Sequence, residues 1–427
     1  MSHVETCALD SEIGTVGLAP RSSRRKERTD AHSITAMEFA LQWQSQHARH
    51  TDSLVEQKFN LWRDLLPPEL EAELKGKPVG YTHAAHFAPG TLIPPYRADD
   101  CLRVRTSAFN RRFRRRSYVV PRGGRFYPRG FIAGVRGLFA QDMTPFRVGE
   151  VGDELTIDLN HPLARQELTL ASRILDIWSA GDEHGGRCNE LGELVTANGP
   201  GMQARWRGQP TDFWSDIPFI RSAPGPDSEF YRNPRFVDHI DRTASERIDQ
   251  LYARLVPAGG RVLDLMASWK SHLPGALALD EVAGLGMNRE ELDANPLLGD
   301  RRVHDLNLSP ALPYEDAAFD AVVCTVSVEY LTEPVQVFAE VNRVLRPGGR
   351  FVVTFSNRWF PPKVVRVWED IHEFERPGLV LEYFLKAGGY RDLETWSLRG
   401  LPRPRDDKYA DRLAFSDPVY AVWGVKI

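Results

Sequence analysis

The feature that most constrains the fold is a regular alternation of short apolar runs with helix-like stretches, from about residue 245 to the last residue. The runs are R-V-L-D-L, E-V-A-G-L-G-M, R-R-V-H-D-L, F-D-A-V-V-C-T-V-S, G-R-F-V-V-T-F-S and P-V-Y-A-V-W-G-V. Near-continuous apolar runs of this length are typical of strands that are buried on both faces of a sheet. Their alternation with helices predicts a doubly wound, mainly parallel α/β sheet. Ligands of such sheets bind beyond the carboxyl ends of the strands, where the strand order reverses.

The N-terminal part has a different texture. The chain of 427 residues is too long for one ordinary domain, so two or three domains are expected. Residues 1–34 are polar and lack a hydrophobic period, which predicts a disordered tail. In residues 35–75, the string T-A-M-E has the form of a capping box, and apolar residues then recur at helical spacing until Pro67 and Pro68. That pattern predicts helices.

The middle of the chain divides into two further segments before the α/β part begins. Residues 76–180 carry short β-branched and aromatic runs between Pro and Gly, which predicts a small β-rich domain. Residues 181–228 are rich in Gly, Pro and Asp and lack periodicity, so we interpret them as a linker or a lid. The α/β domain is therefore expected to occupy residues 229–427.

Charge and cysteine usage exclude several classes of protein. A formal net charge of -4 gives no case for nucleic acid or an anionic membrane as a partner, and the absence of an uncharged apolar run near 18 residues argues against a membrane span. The four cysteines form no C-x-x-C pair, so a reducing, cytoplasmic location is expected. The pair His83 and His86 lacks a third ligand, and we expect no metal. We interpret R-R-F-R-R-R (111–116) as a solvated loop, with phosphate binding as the alternative.

Two strings in the β-rich segment carry a family resemblance. G-R-F-Y-P-R-G-F (124–131) and I-D-L-N-H-P-L-A-R-Q-E-L-T-L (157–170) resemble the C-terminal part of the SlyD-type FKBP peptidyl-prolyl isomerases. Arg165 stands where that family usually has Gly. The resemblance implies an FKBP-like accessory domain, in which Tyr118, Phe126 and Tyr127 are candidates for the apolar cradle of an isomerase. Packing in a core is the alternative use of these three rings.

A second resemblance lies in the α/β part. V-L-D-L (262–265), H-D-L-N-L-S-P-A-L-P-Y-E-D-A-A-F-D-A-V-V-C (304–324) and E-V-N-R-V-L-R-P-G-G-R-F-V-V-T-F-S-N-R (340–358) resemble, in this order, the class I S-adenosylmethionine-dependent methyltransferases. The subgroup with this pattern acts mostly on small molecules. The resemblance implies a Rossmann-like sheet, S-adenosyl-L-methionine as the cofactor and a small-molecule methyl acceptor as the partner, and it leaves a homo-oligomer open.

The same resemblance assigns cofactor-binding roles to positions that match the family's motifs. They are Asp264 for the methionine amino group, the loop residues Met266, Ala267, Ser268 and Trp269 beneath the methionine and ribose, Asp305 and the N–H of Leu306 for the adenine, and Val326 and Ser327 near the sulfonium. Carboxylates at the polar ends of the cofactor and apolar groups around the sulfur suit a cation of this shape.

The sequence departs from the family's pattern in two features. The glycine-rich turn after the first strand is replaced by Met266, Ser268 and Lys270, which do not adopt positive φ as readily as glycine. Gly286 occupies the place of the acid that binds the ribose. Asn288 is the nearest polar substitute, although N-R-E-E also fits a cap of the next helix.

Several groups are candidates for work on the acceptor. Methyl transfer requires alignment of the nucleophile and exclusion of water, and a base only when the nucleophile is protonated. The catalytic candidates are His272, Glu329 and Tyr330, and the substrate-binding candidates are His239, Asn357 and Arg358. The leading hypothesis is a methyltransferase with an FKBP-like accessory domain. The alternatives are a non-catalytic folding helper or scaffold with a degenerate methyltransferase domain, and a peptidyl-prolyl isomerase fusion.

Overall fold

The computed structural model describes residues 24–113, 118–181 and 185–427. Within these ranges the strands are β1 (Ser33–Gln44), β2 (Arg49–Asn60), β3 (Thr82–Phe87), β4 (Cys101–Arg105), β5 (Phe126–Pro128), β6 (Pro145–Val151), β7 (Glu154–Asp158), β8 (Leu168–Ser179), β9 (Arg261–Leu265), β10 (Glu281–Gly286), β11 (Asp300–Val303), β12 (Phe319–Thr325), β13 (Leu345–Phe355), β14 (Tyr390–Arg399) and β15 (Val419–Lys426).

The helices of the same ranges lie mostly in the C-terminal half. They are α1 (Pro68–Leu74), α2 (Leu191–Thr196), α3 (Asp227–Phe230), α4 (Arg242–Leu255), α5 (Arg289–Ala294), α6 (Pro334–Val344), α7 (Arg366–Asp370) and α8 (Glu375–Ala387). Short 3₁₀ turns join several elements, among them Val328–Tyr330 after β12. None of the helices in the described parts of the chain is long and apolar enough to cross a membrane.

The C-terminal half forms the doubly wound sheet that the alternating pattern predicts. Its strand order is β11-β10-β9-β12-β13-β15-β14. The first five strands of this order are parallel, and β15 runs antiparallel to both of its neighbours. The chain passes from β9 outward to β10 and β11 and then returns to β12 on the other side of β9. The strand order therefore reverses between β9 and β12, which is where a ligand of such a sheet binds.

The helices predicted for residues 35–75 are wrong for most of that segment. Residues Ser33–Gln44 and Arg49–Asn60 form two long antiparallel strands, and only α1 is helical. The physical reason is a period of two in β1, where Met37, Phe39 and Leu41 all face one hydrophobic core. Thr35 and Glu38 lie inside β1, so T-A-M-E caps no helix. Burial of alternate side chains in a strand therefore outweighed the local preference of the T-A-M-E string for a helix start.

The predicted disordered tail is also too long. Residues 1–23 lie outside the described residues, but the rest of the segment packs along β8. The N–H of Lys26 donates to the carbonyl of Ile177 at 3.0 Å, and the Arg25 guanidinium lies 2.6 Å from the Asp176 carboxylate. Ser33 already begins β1.

The two halves of the chain share one sheet. Strand β2 pairs in parallel with β14, from Arg49 opposite Glu394 to Leu54 opposite Arg399, so the strand order continues as β14-β2-β1-β8-β3. Both polar and apolar side chains are buried where β2 meets β14. The Asp52 carboxylate accepts from Ser397 Oγ at 2.8 Å, and the His50 ring is 2.7 Å from Thr395 Oγ1. Burial lowers the pKa of His50 to about 3, so this ring is neutral.

The strands of the β-rich segment at residues 76–180 are therefore divided between two sheets. Its first and last strands, β3 and β8, belong to the large sheet, and only β4, β7, β6 and β5 form a separate four-stranded sheet between them. Three residues of the R-R-F-R-R-R string, 114–116, lie outside the described residues. Phe126 and Tyr127 are buried, whereas Tyr118 is 60% exposed.

Candidate active site

A cavity opens at the carboxyl ends of β9, β10 and β12, at the reversal of strand order. Thirteen of the residues predicted from the sequence line it: His239, Asp264, Met266, Ala267, Ser268, Trp269, His272, Asn288, Asp305, Leu306, Val326, Ser327 and Tyr330. The cavity is thus lined by residues from four strand ends and from the segment that precedes α4.

Asp264 lies near the end of the central strand β9 and is buried in the cavity wall. Ser271 Oγ donates to its Oδ2 at 2.5 Å. No Lys or Arg of the described chain forms an ion pair with this carboxylate, and burial raises its pKa to about 6. A buried carboxylate without a cation is unfavourable by itself, and a cationic ligand group beside it would remove that penalty.

The turn after β9 keeps the conformation of a glycine turn without the glycine. Met266 has φ of 61°, a left-handed conformation that costs a non-glycine residue about 1–2 kcal/mol. The N–H of Ala267 then donates to the carbonyl of Leu285 at 2.8 Å, and the chain crosses the end of β10. A Cβ placed on Gly286 would lie 2.1 Å from the Ala267 carbonyl oxygen. This crossing explains why position 286 carries no acidic side chain.

Hydrogen bonds within the protein hold the rest of the loop. Ser268 Oγ donates to Glu291 at 2.6 Å, and the amide of Asn295 donates to the Ser268 carbonyl at 2.9 Å. Trp269 Nε1 donates to the Val237 carbonyl at 3.3 Å, and the Lys270 ammonium lies 3.0 Å from the carboxylate of Asp238, the residue after Val237. The polar groups of Ser268 and Trp269, which we expected to face a ligand, therefore fix the loop and the adjoining segment.

Asn288 has the second of the two uses that the sequence left open. Its Oδ1 accepts from the N–H of Glu291 at 3.1 Å, as an N-cap of α5. Its amide donates to the carbonyls of Tyr231 and Arg232 at 2.9 and 3.0 Å. The side chain lines the cavity, but its hydrogen bonds are made to the start of α5 and to the segment that contains Tyr231 and Arg232.

Asp305 and its neighbours form the opposite end of the cavity. The N–H of Asn307 donates to Asp305 Oδ1 at 2.9 Å. The Asn307 amide donates to Asp227 at 2.8 Å, and its Oδ1 accepts from the N–H of Thr332. Asp227 begins α3, in the last part of the segment interpreted as a linker or lid, and also lines the cavity. Asn307 thus ties that segment to the strand ends.

A second strained residue stands at the end of β12, beside β9. Val326 has φ of 44°, which is rare for a β-branched residue and is found mainly at functional sites. Its N–H donates to the Thr354 carbonyl at 2.8 Å. Thr325, the residue before it, bonds through Oγ1 to the buried hydroxyl of Tyr252 at 2.7 Å. The backbone at 326 is therefore held from two sides.

Aromatic and imidazole groups form one wall. The Tyr330 ring stacks on Phe360 at 6.0 Å, and its hydroxyl accepts from the Phe360 N–H at 2.9 Å. His239 packs edge-on against the same Phe360 ring at 5.2 Å. His272 lies at the β9 side, where its Nδ1 is 2.9 Å from Ser245 Oγ and 3.4 Å from Asp249.

Three predicted residues do not reach the cavity. Asn357 is exposed and lies outside the lining. The Arg358 guanidinium donates to Asp417 at 3.0 Å, in a cluster that also contains Arg403. Glu329 is only 1% exposed, and neither of its carboxylate oxygens has a hydrogen-bond partner. The substrate roles of Asn357 and Arg358 and the catalytic role of Glu329 are therefore corrected: these side chains point to solvent, to an ion pair and to the core.

Glu329 should make the stability of the protein depend on pH. Burial raises its pKa to about 8 from an ordinary 4.5, so the folded state holds a neutral carboxyl where the unfolded chain ionises it. Stability from this group is full below pH 4.5 and is lost as pH rises to about 8. The free energy of unfolding of Glu329→Gln should rise relative to that of the wild type by about 1.4 kcal/mol for each pH unit in that window. Urea unfolding at pH 5.5 and 7.5 measures the difference.

The control for Glu329→Gln is the same exchange at Glu333, which is exposed at the start of α6. This variant should follow the wild type at both pH values. Parallel stability curves for Glu329→Gln and the wild type would show that the carboxyl is not held neutral.

Several other lining residues carry only a weak signal in the sequence. Asp227, Tyr231 and Arg235 belong to a segment without periodicity or motif, and they reach the cavity only because α3 and the residues after it fold over the strand ends. Glu291 and Asn307 carry a stronger signal, since each lies within a few residues of a strand end that the sequence motifs identify.

Comparison with known proteins gives matches in this same part of the chain. Residues 275–353 match the family described as methyltransferase domain. Methyltransferase GfsG of Streptomyces halstedii is 32% identical over 137 residues, which are 29% of this chain and 48% of that protein. The ubiquinone biosynthesis O-methyltransferase of Xanthomonas oryzae pv. oryzae is 33% identical over 124 residues, 26% of this chain and 49% of that protein. The chain spans about half the length of the curated relatives it matches.

Among solved structures, a SAM-dependent methyltransferase from Thermotoga maritima covers 44% of this chain and 91% of its own, at 14% identity and a TM-score of 0.33. The family match and the relatives are both methyltransferases, and the matched family segment runs from the residues just before β10 through most of β13.

Proposed function

We propose that the protein is an S-adenosylmethionine-dependent methyltransferase that acts on a small-molecule acceptor. The observation that carries the proposal is Asp264, a buried carboxylate without a cationic partner among the described residues, which faces a cavity at the reversal of strand order. The match of residues 275–353 to a methyltransferase domain supports the same activity. The cofactor, when bound, supplies an electrophilic methyl group.

The residues at the cavity fit a cofactor with a cationic and an adenine end. Asp264 would accept from the amino group, and Asp305 at the opposite end would accept from the adenine amine, since its Oδ1 is already oriented by the N–H of Asn307. Two left-handed residues, Met266 and Val326, shape the backbone at the ends of β9 and β12. The missing ribose acid is not replaced by Asn288, whose polar atoms are used in capping.

Protein groups around Phe360 would act on the acceptor. The apolar wall of Tyr330 and Phe360 excludes water from the space next to Ser327, which strengthens the alignment on which methyl transfer depends. Burial lowers the pKa of His239, so its imidazole is neutral at pH 7 and free to accept a proton from an acceptor hydroxyl. His272 is bonded to Ser245, so we assign it a positioning role.

We propose that the N-terminal half is an accessory part that completes the sheet, whether or not it descends from an FKBP-like fold. Its strand β2 pairs with β14 of the methyltransferase half. This pairing favours a structural role in which the N-terminal half stabilises the methyltransferase half. Tyr118, Phe126 and Tyr127 line one cavity together. Prolyl isomerisation nevertheless has less support, because Phe126 and Tyr127 are packed in hydrophobic cores and Tyr118 is largely exposed.

Titration of the full-length protein with S-adenosylmethionine and S-adenosylhomocysteine by calorimetry tests the proposal. Both should bind, and Asp264→Asn should weaken S-adenosylmethionine binding by about 1–3 kcal/mol, because a charge-assisted bond to the amino group is lost. Since burial places the pKa of Asp264 near 6 and a cation binds the ionised form, wild-type affinity should fall as pH drops below about 6.

The pH signature separates a direct contact from general damage. Asp264→Asn should bind with little pH dependence between 5 and 7, whereas Glu333→Gln should reproduce the wild-type curve. If the wild type binds neither compound, the enzyme hypothesis is wrong and the scaffold hypothesis replaces it.

A further inference from the structure

We propose that a second cavity, lined by residues between 45 and 208, binds the phosphate group of a small molecule. This cavity is called here the arginine cavity. It lies between the β1–β2 turn, the N-H-P-L-A-R turn before β8 and residues 204–208. Its chemistry is set by six residues: Tyr96, Arg147, Arg165, Arg205, Trp206 and Arg207. The proposal does not depend on methyl transfer.

The charge balance of the arginine cavity is strongly positive. Four arginines line it, against one carboxylate, Asp158. Arg205 is neutralised by Glu382, to which it donates at 2.6 and 2.8 Å. The Asp158 oxygens accept from Asn160 and from Trp206 Nε1. Within the described chain, no carboxylate forms an ion pair with the remaining three guanidinium groups.

Arg147 is the most telling of the three because it is only 7% exposed. Its Nη2 donates to the carbonyls at 201, 202 and 204, its plane lies 4.1 Å from the centre of the Phe126 ring, and its Nε has no partner. Burial lowers its pKa to about 10, so it stays charged at neutral pH. Glu375 and Asp158 attract this charge, but neither forms an ion pair with it in the described chain, and an anion in the cavity would offset more of the cost of burying it.

The other two arginines share one tyrosine. The guanidinium of Arg165 lies 3.6 Å from the centre of the Tyr96 ring, and Arg207 Nη2 donates to the Tyr96 hydroxyl at 3.3 Å. Arg207 also has φ of 49°, a strained conformation for a residue with a side chain. Arg165 is the residue that replaces the usual glycine of the N-H-P-L-A-G pattern. A departure from the pattern thus supplies a cation to the cavity.

The number and arrangement of donors favour phosphate over carboxylate. A carboxylate presents two oxygens in one plane, which a single guanidinium satisfies in a bidentate pair. Three guanidinium groups from three separate elements suit a tetrahedral anion with several acceptor oxygens. Faces of Tyr96 and Trp206 are already covered by Arg165 and Arg207, so recognition would rest on charge more than on stacking of an aromatic ligand.

Calorimetric titration of the full-length protein with inorganic phosphate, pyrophosphate and acetate, at low ionic strength, tests this assignment. Phosphate and pyrophosphate should bind more tightly than acetate. Arg165→Gln and Arg207→Gln should each weaken pyrophosphate binding about tenfold. Arg103→Gln, which removes an exposed arginine of β4 outside the cavity, should leave it unchanged.

Binding of S-adenosylhomocysteine and the melting temperature serve as readouts of the fold in each variant, since both arginines are at the rim. Unchanged values with weaker pyrophosphate binding would support the site. The proposal is overturned if the wild type binds neither phosphate nor pyrophosphate, if acetate binds equally well, if S-adenosylhomocysteine competes with pyrophosphate, or if all three variants behave alike.

Discussion

A fragment of residues 229–427 is expected to aggregate or remain unfolded, although it contains the whole doubly wound sheet and every cavity-lining residue except Asp227. Removal of β2 turns β14 into an edge strand and exposes Trp396 and Leu398, which are 4% and 3% exposed in the full chain. It also removes the partners of two buried carboxylates, Glu375 and Glu382. Each fully buried large apolar side chain stabilises by about 1.5–3 kcal/mol, and each broken buried pair destabilises by about 3–5 kcal/mol.

Those losses together equal or exceed the whole stability of an ordinary domain, about 5–15 kcal/mol. Circular dichroism and size-exclusion chromatography of the fragment measure the outcome. Co-expression of residues 24–228 is the matched control and should recover soluble material. A monomeric fragment that melts cooperatively and binds S-adenosylhomocysteine would show that the halves are independent domains, as the sequence suggested.

Gly286→Asp should destroy the cavity rather than restore a ribose contact. The exchange puts the acid where the family has one, but the new Cβ would lie 2.1 Å from the Ala267 carbonyl oxygen and 3.2 Å from a Leu292 methyl. The first neighbour is main chain, at the turn that begins with strained Met266, so the turn itself would have to move. We expect a loss of about 3 kcal/mol in the free energy of unfolding and no detectable binding of S-adenosylhomocysteine.

Gly299→Ala is the control for Gly286→Asp, because a Cβ there meets only ordinary contacts at 3.6 Å and beyond. It should change neither the thermal melt nor the titration by a measurable amount. Tighter binding by Gly286→Asp than by the wild type would mean that the turn yields easily and that the acid reaches the ribose.

The predicted strands of the C-terminal half were correct because their signal is local. Each of β9, β12 and β13 is a continuous apolar run, and such runs are buried on both faces in any doubly wound sheet. The placement of Asp264 and Asp305 near one cavity followed from the same rule, since carboxyl ends of parallel strands meet at one edge. No knowledge of distant contacts was needed for these residues.

The N-terminal half could not be derived in this way. Residues 33–44 contain both an alternation of apolar residues and a capping-box string, and only the pairing of β1 with β2 and β8 decides between them. Asn357 and Arg358 match a motif after β13, yet the Arg358 guanidinium donates to Asp417, which lies 59 residues later in the chain. Glu329 faces the core because the turn after β12 rotates it away from the cavity.

The sequence by itself determined the strands of the doubly wound sheet, the edge at which a ligand would bind and the two carboxylates placed there, because burial pattern and strand direction are properties of neighbouring residues. Only the tertiary structure decided that both halves share one sheet, that Met266 keeps a glycine-like turn and that the chain crosses Gly286 too closely for any side chain. These outcomes depend on contacts between residues far apart in the chain, where packing outweighs local preference.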